Sequence, residues 1–327
     1  MEAIVGQQER ASRWSRDPVL RANGAPIVVQ PTERDFEIFK LLGRFDYLPA
    51  DCIHAFVGGS EKALRYRLNL LSRKPNLYLS RPHQQRHSAD ANCRPLIYEL
   101  DERGARMLRD RGSPFVSKSY RRNFAHELMV AQITASIELG TRKNSNIRLI
   151  GWSEILASEN TPKATREAPD PASIPVSYSL RGQFQRGEVV ADGRPFGLQR
   201  TIEGKRSYLF FPGIEADCAT EPLEASAIDR SSIAKKFAAY TAVAEQGIYR
   251  SHFGFPNFLV PFITTNITRM GSMMELLNRF AAGRGSEMFL FKTLPAFTSS
   301  EKPPAPSGHM LTVPWQRVGF PPLSLVS

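Results

Sequence analysis

Three carboxylates at the ends of two short apolar runs constrain this chain more than any other feature. Glu188-Val189-Val190-Ala191 leads into Asp192-Gly193, and Ser207-Tyr208-Leu209-Phe210-Phe211 leads through Gly213 into Glu215-Ala216-Asp217. A helical pattern from Ser232 to Gln246 follows, with Ser231 as its cap and Lys235 and Lys236 in its first turns. Side chains alternate across a strand, so Glu215 and Asp217 face one way. If the two runs are neighbouring strands, Asp192 joins them in one acidic cluster. Oxygen clusters of this kind hold hard divalent cations such as Mg²⁺, with water completing the shell. A cation so held activates water against a phosphodiester. Lys235 and Lys236 lie about 100° apart on a helix, so one of them can serve that cluster while the other meets solvent. The plainer alternative reads Asp192-Gly193 as an ordinary turn and both lysines as surface residues.

The length of 327 residues suits two domains with a core each. No apolar run approaches the roughly 18 residues of a membrane span, and Met1 to Arg16 lacks a signal-peptide core. Cys52, Cys93 and Cys218 are too scattered for a metal site or a disulfide framework, which points to a reducing cytoplasm. The net charge is +11, and residues 1–122 hold 22 Lys+Arg against 14 Asp+Glu, a net of +8. A basic N-terminal part suggests a polyanion partner, most simply double-stranded DNA.

Residues 1–30 read as a flexible leader whose Arg10, Arg13, Arg16 and Arg21 can brush phosphates. Thr32 caps a first helix, with Phe36, Phe39 and Leu42 inward and Gly43 as its stop. Pro49 to Phe56 forms a second helix, broken by Gly58-Gly59. Ser60 caps a third from Glu61 to Ser72. In that third helix Leu64, Leu68 and Leu71 form the buried stripe, and Lys62, Arg65, Tyr66 and Asn69 point elsewhere, with Arg73 and Lys74 at its end. Such a helix can enter a major groove, where Arg and Asn read base edges; the alternative is an ordinary amphipathic helix. Strands at 77–81 and 96–100 flank a polar loop with His83, Arg86, His87 and Arg94, the place of a wing. His83 and His87 lack a third metal ligand and read as solvated. Asp101 caps a helix through Arg109.

Beyond a linker at 113–123, a helix runs from Phe124 to Leu139, ended by Gly140. Residues 158–175 read as a mobile Pro-containing excursion, 176–180 as a strand, and 258–265 as a buried strand that Pro261 places at an edge or bulge. A helix through Phe280 and a strand at 288–291 complete an α/β unit. The tail from Ser299 is Pro-rich and reads as extended or disordered, with Trp315 and Phe320 available for docking. No Gly-rich phosphate loop, nucleophile elbow, HExxH or CxxC is present, so conventional hydrolase and oxidoreductase classes have no support.

The carboxylate–strand–helix pattern resembles the PD-(D/E)xK nuclease fold. The wider chain, over roughly residues 30–290, resembles the replication-relaxation family of bacterial plasmids and phages. The run Asp101-Glu102-Arg103-Gly104-Ala105-Arg106-Met107-Leu108 is similar to the closing element of winged-helix regulators, and His126-Glu127-Leu128 to a His-containing position of the family. The resemblance implies an α+β or α/β protein. A winged helix-turn-helix domain at 31–112 is followed by a restriction-endonuclease-like mixed sheet flanked by helices at 123–295, then a tail at 296–327. It implies a DNA-binding protein of plasmid or mobile-element replication and DNA relaxation, acting on double-stranded DNA as a homodimer or with replication or mobilisation proteins. Lys62, Arg65, Tyr66, Asn69, Arg73, Lys74 and Arg86 are its expected DNA contacts. Ala191 stands where the nuclease motif has Pro, and Asp217 where it has Lys, which favours a non-catalytic reading. The alternatives are a Mg²⁺-dependent nuclease or nicking enzyme using Asp192, Glu215, Asp217 and Lys235 or Lys236, with Glu127 as a fourth acid, and a winged-helix transcription regulator.

Overall fold

The computed structural model describes residues 14–87, 94–113, 123–227, 230–294, 306 and 308–327. The chain divides into two compact units, Met1–Arg121 and Arg122–Ser327. The described residues form eleven α-helices and four small sheets, a mixed α+β arrangement.

The first unit contains α1 (Glu33–Phe45), β1 (Leu48–Pro49), α2 (Ala50–Val57), α3 (Glu61–Leu71), β2 (Leu79–Ser80), β3 (Ile97–Leu100) and α4 (Glu102–Asp110). Local chemistry starts each long helix. Thr32 and Asp35 form a reciprocal capping box at α1, Ser60 caps α3, and Asp101 caps α4. Phe36, Ile38, Phe39, Leu64, Leu68 and Leu71 are buried, as their spacing predicts. Pairing adds the two-residue β1, which joins β2 and β3 in a sheet of order β1-β3-β2. A short 3-10 turn, His83–His87, occupies the start of the expected loop, and residues 88–93 of that loop lie outside the described residues.

The leader corrects one expectation. Its described part is tied down, because Asn76 accepts the Val29 N–H at 2.9 Å and donates to the Ile27 carbonyl at 3.0 Å. Arg10 and Arg13 lie outside the described residues, as does most of the expected linker at 113–123.

The second unit opens with α5 (Phe124–Arg142), β4 (Ile147–Ile150), α6 (Trp152–Ala157), α7 (Lys163–Arg166), the hairpin β5 (Ile174–Leu180) and β6 (Gln183–Val189), the hairpin β7 (Phe196–Ile202) and β8 (Lys205–Phe211), and β9 (Glu215–Asp217). It continues with α8 (Ile233–Glu245), α9 (Ile248–Phe253), β10 (Val260–Thr264), α10 (Ile267–Phe280), β11 (Ser286–Thr293), α11 (His309–Thr312) and β12 (Gln316–Val318). Strands β9, β10 and β11 are parallel, and β12 adds antiparallel to β11. This mixed sheet separates two cores. Phe262, Phe289 and Phe291 pack with Phe237 and Tyr240 of α8 and Met273 of α10. On the opposite face Ala216, Ile263 and Leu290 pack with Ile133 and Ile137 of α5, Leu311 of α11, and Trp315.

Several boundaries differ from the sequence reading. Gly140 does not end α5; it lies inside it, where a Cβ would stand 2.6 Å from the Leu311 Cβ, so glycine permits the close approach of α11. Ser232, not Ser231, caps α8. Residues 158–175 are no loose excursion, since Thr161 and Thr165 are buried and donate to the carbonyls of Phe253 (3.1 Å) and His252 (2.5 Å). Pro261 lies in the central strand β10, one residue before pairing with β9 begins at Phe262. Residues 308–327 are docked, with Trp315 fully buried and its indole N–H donating to the Met310 carbonyl at 3.0 Å.

Candidate functional site

The register of β9 decides where its acids point. Glu215 pairs with Phe262 and Asp217 with Thr264, so both face α8 and α10, while Ala216 faces α5. Asp192 reaches them differently from the expected route. Strands β6 and β9 belong to different sheets, and Asp192 lies in the loop after β6. There it closes the free edge of β9: its N–H donates to the Ile214 carbonyl at 2.9 Å, and its Oδ2 accepts the Ala216 N–H at 2.8 Å. Asp192-Gly193 is therefore not a hairpin turn. The two chain segments meet closely enough that a Cβ on Gly213, at φ 139°, would stand 2.1 Å from the Gly193 carbonyl oxygen.

Each carboxylate is met by donors from the protein. Lys236 of α8 places Nζ 2.8 Å from Glu215 Oε2 and 3.1 Å from Glu221 Oε2. The Tyr240 hydroxyl donates to Glu215 Oε1. Asp217 accepts from Thr264 Oγ1 at 2.9 Å and from Arg269 Nε at 2.8 Å, and Arg269 also donates to the Glu221 carbonyl. His126, in the first turn of α5, sets Nε2 3.2 Å from Asp192 Oδ1 and Nδ1 3.5 Å from Glu127 Oε1.

The electrostatics follow from this crowding. Hydrogen bonds to Asp192 and Glu127 outweigh burial and push His126 up to about 10, so it is an imidazolium at neutral pH. Burial raises Asp192, but the His126 hydrogen bond and the nearby Lys236 charge prevail and hold it below its ordinary value. Burial pushes Glu215 up to about 7 against the pull of Lys236. Lys236 resists burial because Glu215, Asp192 and Glu221 surround it, and its affinity for the proton is raised.

This arrangement pairs acids with bases instead of leaving oxygens free for a cation. Among the described residues, no group of three or more His, Cys, Asp or Glu side chains is placed to hold a metal ion. Asp192, Glu215 and Asp217 do not fit a Mg²⁺ site as they stand, because their oxygens are turned to His126, Lys236, Tyr240, Thr264, Arg269 and a backbone N–H. Of the two lysines, Lys236 is the one that reaches Glu215. Tyr240, which helical spacing assigns to an apolar face, contributes its hydroxyl to the same acid. The sequence reading missed Arg269, Thr264 and Glu221; the polar run Thr264-Thr265-Asn266 closing a buried strand was the available signal for the first two.

In the first unit, Lys62, Arg65 and Tyr66 are exposed along α3, and Arg65 contacts Glu61 at 2.6 Å. Lys74 is exposed beyond the helix end, and exposed Arg86 lies over the Trp14 ring with its centroid 5.7 Å away. Asn69 and Arg73 are placed otherwise: Arg73 is buried, and its Nε donates to Asn69 Oδ1 at 2.8 Å. Arg67 is a structural cation, donating to both oxygens of the buried Asp35 at 3.0 and 2.6 Å.

Residues 39–257, more than half of the chain, match the family model described as Replication-relaxation. No curated protein and no solved structure was found to match the chain.

Proposed function

The chain belongs to the replication-relaxation family, and from that premise we propose a DNA-binding protein of plasmid or mobile-element replication and DNA relaxation that binds without cutting. The observation that carries the non-catalytic part is the pairing of Asp192 with His126 and of Asp217 with Arg269; Lys236 beside Glu215 is a contact that either reading accommodates. A nuclease centre needs carboxylate oxygens turned to a metal ion, whereas these are turned to donors of the protein itself.

Support for DNA binding comes from the first unit. The residues 31–112 serve as a winged helix-turn-helix domain, in which α3 offers Lys62, Arg65 and Tyr66 outward, and Lys74 and Arg86 add phosphate contacts. Arg73 and Asn69 belong to the support of that surface, since they bind one another. Residues 123–295, within the second unit, serve as the nuclease-like scaffold. Double-stranded DNA in the cytoplasm is the partner, with a second copy of the chain or replication and mobilisation proteins completing the assembly. Among the described residues, no helix is long and apolar enough to cross a membrane.

The test is to incubate purified protein with supercoiled and linear plasmid in Mg²⁺, Mn²⁺ or EDTA and resolve the products on a gel. Retarded bands with intact strands are expected, and Lys62→Ala with Arg65→Ala should weaken retardation. Metal-dependent breakage that disappears in Glu215→Gln would replace this reading with a metal-dependent nuclease or nicking enzyme. Retardation confined to one operator-like sequence, with no effect of plasmid topology, would favour a transcription regulator.

A further inference from the structure

The β5–β6 hairpin carries a feature that the DNA-binding surface of the first unit does not explain. Its turn, Arg181-Gly182, has φ of 52° and 74°, a tight two-residue connection that suits the twist of the strands. The inward face is apolar: Ile174, Val176, Tyr178 and Leu180 are buried in the core that also contains α8 and α9. The outward face is built from Pro175 opposite Glu188, Ser177 opposite Arg186 and Ser179 opposite Phe184. Phe184 is 65% exposed. The Arg186 guanidinium lies over its ring, 5.6 Å from the centroid. Arg181 is exposed at the turn. Among the described residues, β6 pairs with β5 alone in a two-stranded sheet.

We propose that this face is a single-stranded DNA site, in which a base stacks on the Phe184 ring while Arg186 and Arg181 meet the flanking phosphates. An exposed aromatic presented on a rigid ribbon, floored by small serines and bordered by cations, has the chemistry of a base-stacking platform. Charge selects the occupant. Glu188 stands at the other end of this face with the Ser173 hydroxyl donating to it at 2.7 Å, whereas the end that carries the ring has Arg186 and Arg181, so the aromatic is bordered by arginines and favours a polyanion over an apolar protein surface. Stacking is tolerant of sequence, which suits the unpaired strand exposed when a duplex opens for replication. The proposal extends the DNA-binding reading to a second site with a different form of DNA.

The experiment is fluorescence anisotropy of the full chain with a labelled oligo-dT and, separately, a duplex of equal length. Phe184→Ala should weaken oligo-dT binding by about 5-fold or more, the usual loss for one stacked base, and leave duplex binding within about 2-fold. Phe184→Trp should retain the affinity, and Arg186→Gln should lower it and flatten its salt dependence. Because Phe184 points away from the core, unchanged circular dichroism is expected for each variant; the Trp variant separates loss of stacking from loss of fold. Wild-type affinity for oligo-dT in Phe184→Ala would overturn the site, as would equal losses on both DNAs. A change of oligomeric state in Phe184→Ala with oligo-dT binding intact would assign the ring to a protein contact instead. Failure of Lys62→Ala and Arg65→Ala to weaken duplex binding would count against the first-unit reading alone and would leave the hairpin site standing.

Discussion

His126 Nε2 stands 3.2 Å from Asp192 Oδ1, joining the first turn of α5 to the loop that closes the free edge of β9. One contact thus couples a helix, a loop and a strand that lie far apart in the sequence. It also makes the region sensitive to pH. The His126 pKa is raised in the fold to about 10, above its unfolded value near 6.5. Its contribution to stability is therefore fully present below about pH 6.5 and is lost as the pH rises toward 10. Urea denaturation at pH 6 and pH 9 should show a decline in the wild type that His126→Gln flattens. An equal decline in both proteins would assign the pH dependence elsewhere.

Lys236 and Glu215 should behave as a unit. Removing the cation alone, in Lys236→Met, leaves a fully buried acid without its counter-charge and should cost up to about 3–5 kcal/mol at pH 9, and less at pH 6, where Glu215 takes up a proton. The double variant Lys236→Met with Glu215→Gln should be more stable than Lys236→Met by itself, since it removes both charges. Chemical denaturation of the four proteins in the cycle measures the coupling, and strict additivity would show that the two side chains act independently.

Arg67 holds Asp35, which is 1% exposed and also accepts the Thr32 N–H at 2.7 Å. Burial raises Asp35, but these bonds prevail and its pKa is lowered. The stability it provides is present above the unfolded carboxylate value and is lost as the pH falls through the lowered one. Arg67→Ala should cost about 3–5 kcal/mol at neutral pH and reduce the acid sensitivity of the first unit. In contrast Lys62→Ala, on the exposed side of the same helix, should change stability by no more than about 0.5 kcal/mol. Thermal melts of the two variants at pH 7 compare them directly.

Gly140→Ala tests the seating of the C-terminal segment. The added methyl meets Leu311, so overpacking should destabilise the protein by about 1–3 kcal/mol even though alanine is the better helix former. Faster proteolytic removal of the segment from residue 306 onward is the expected accompaniment. A stabilised variant would mean that α5 and α11 separate at little cost.

Local chemistry carried a good part of this fold. Thr32, Ser60 and Asp101 act on N–H groups within a few residues of themselves, so the helices they start were legible from the chain alone, as was the buried stripe of α3. The alternating side chains of β9 placed Glu215 and Asp217 on one face, as their spacing required. Family membership was likewise legible, because it resides in the order of such elements.

What the amino-acid order determined by itself, then, was which residues share a face and where elements begin. Only the tertiary structure decided what each face meets. Spacing separates Lys235 from Lys236 by direction, but the position of β9 under α8 brings Lys236 to Glu215. Tyr240 is apolar by periodicity, yet its hydroxyl extends past the hydrophobic ring to the same acid. Arg73 has the charge of a DNA contact, but Asn69 one turn earlier draws it inward. Arg269 comes to Asp217 because β10 lies beside β9 in register. Periodicity is a property of a few consecutive residues, whereas the partner of a buried charge is set by chain segments that pack together only after the fold has formed.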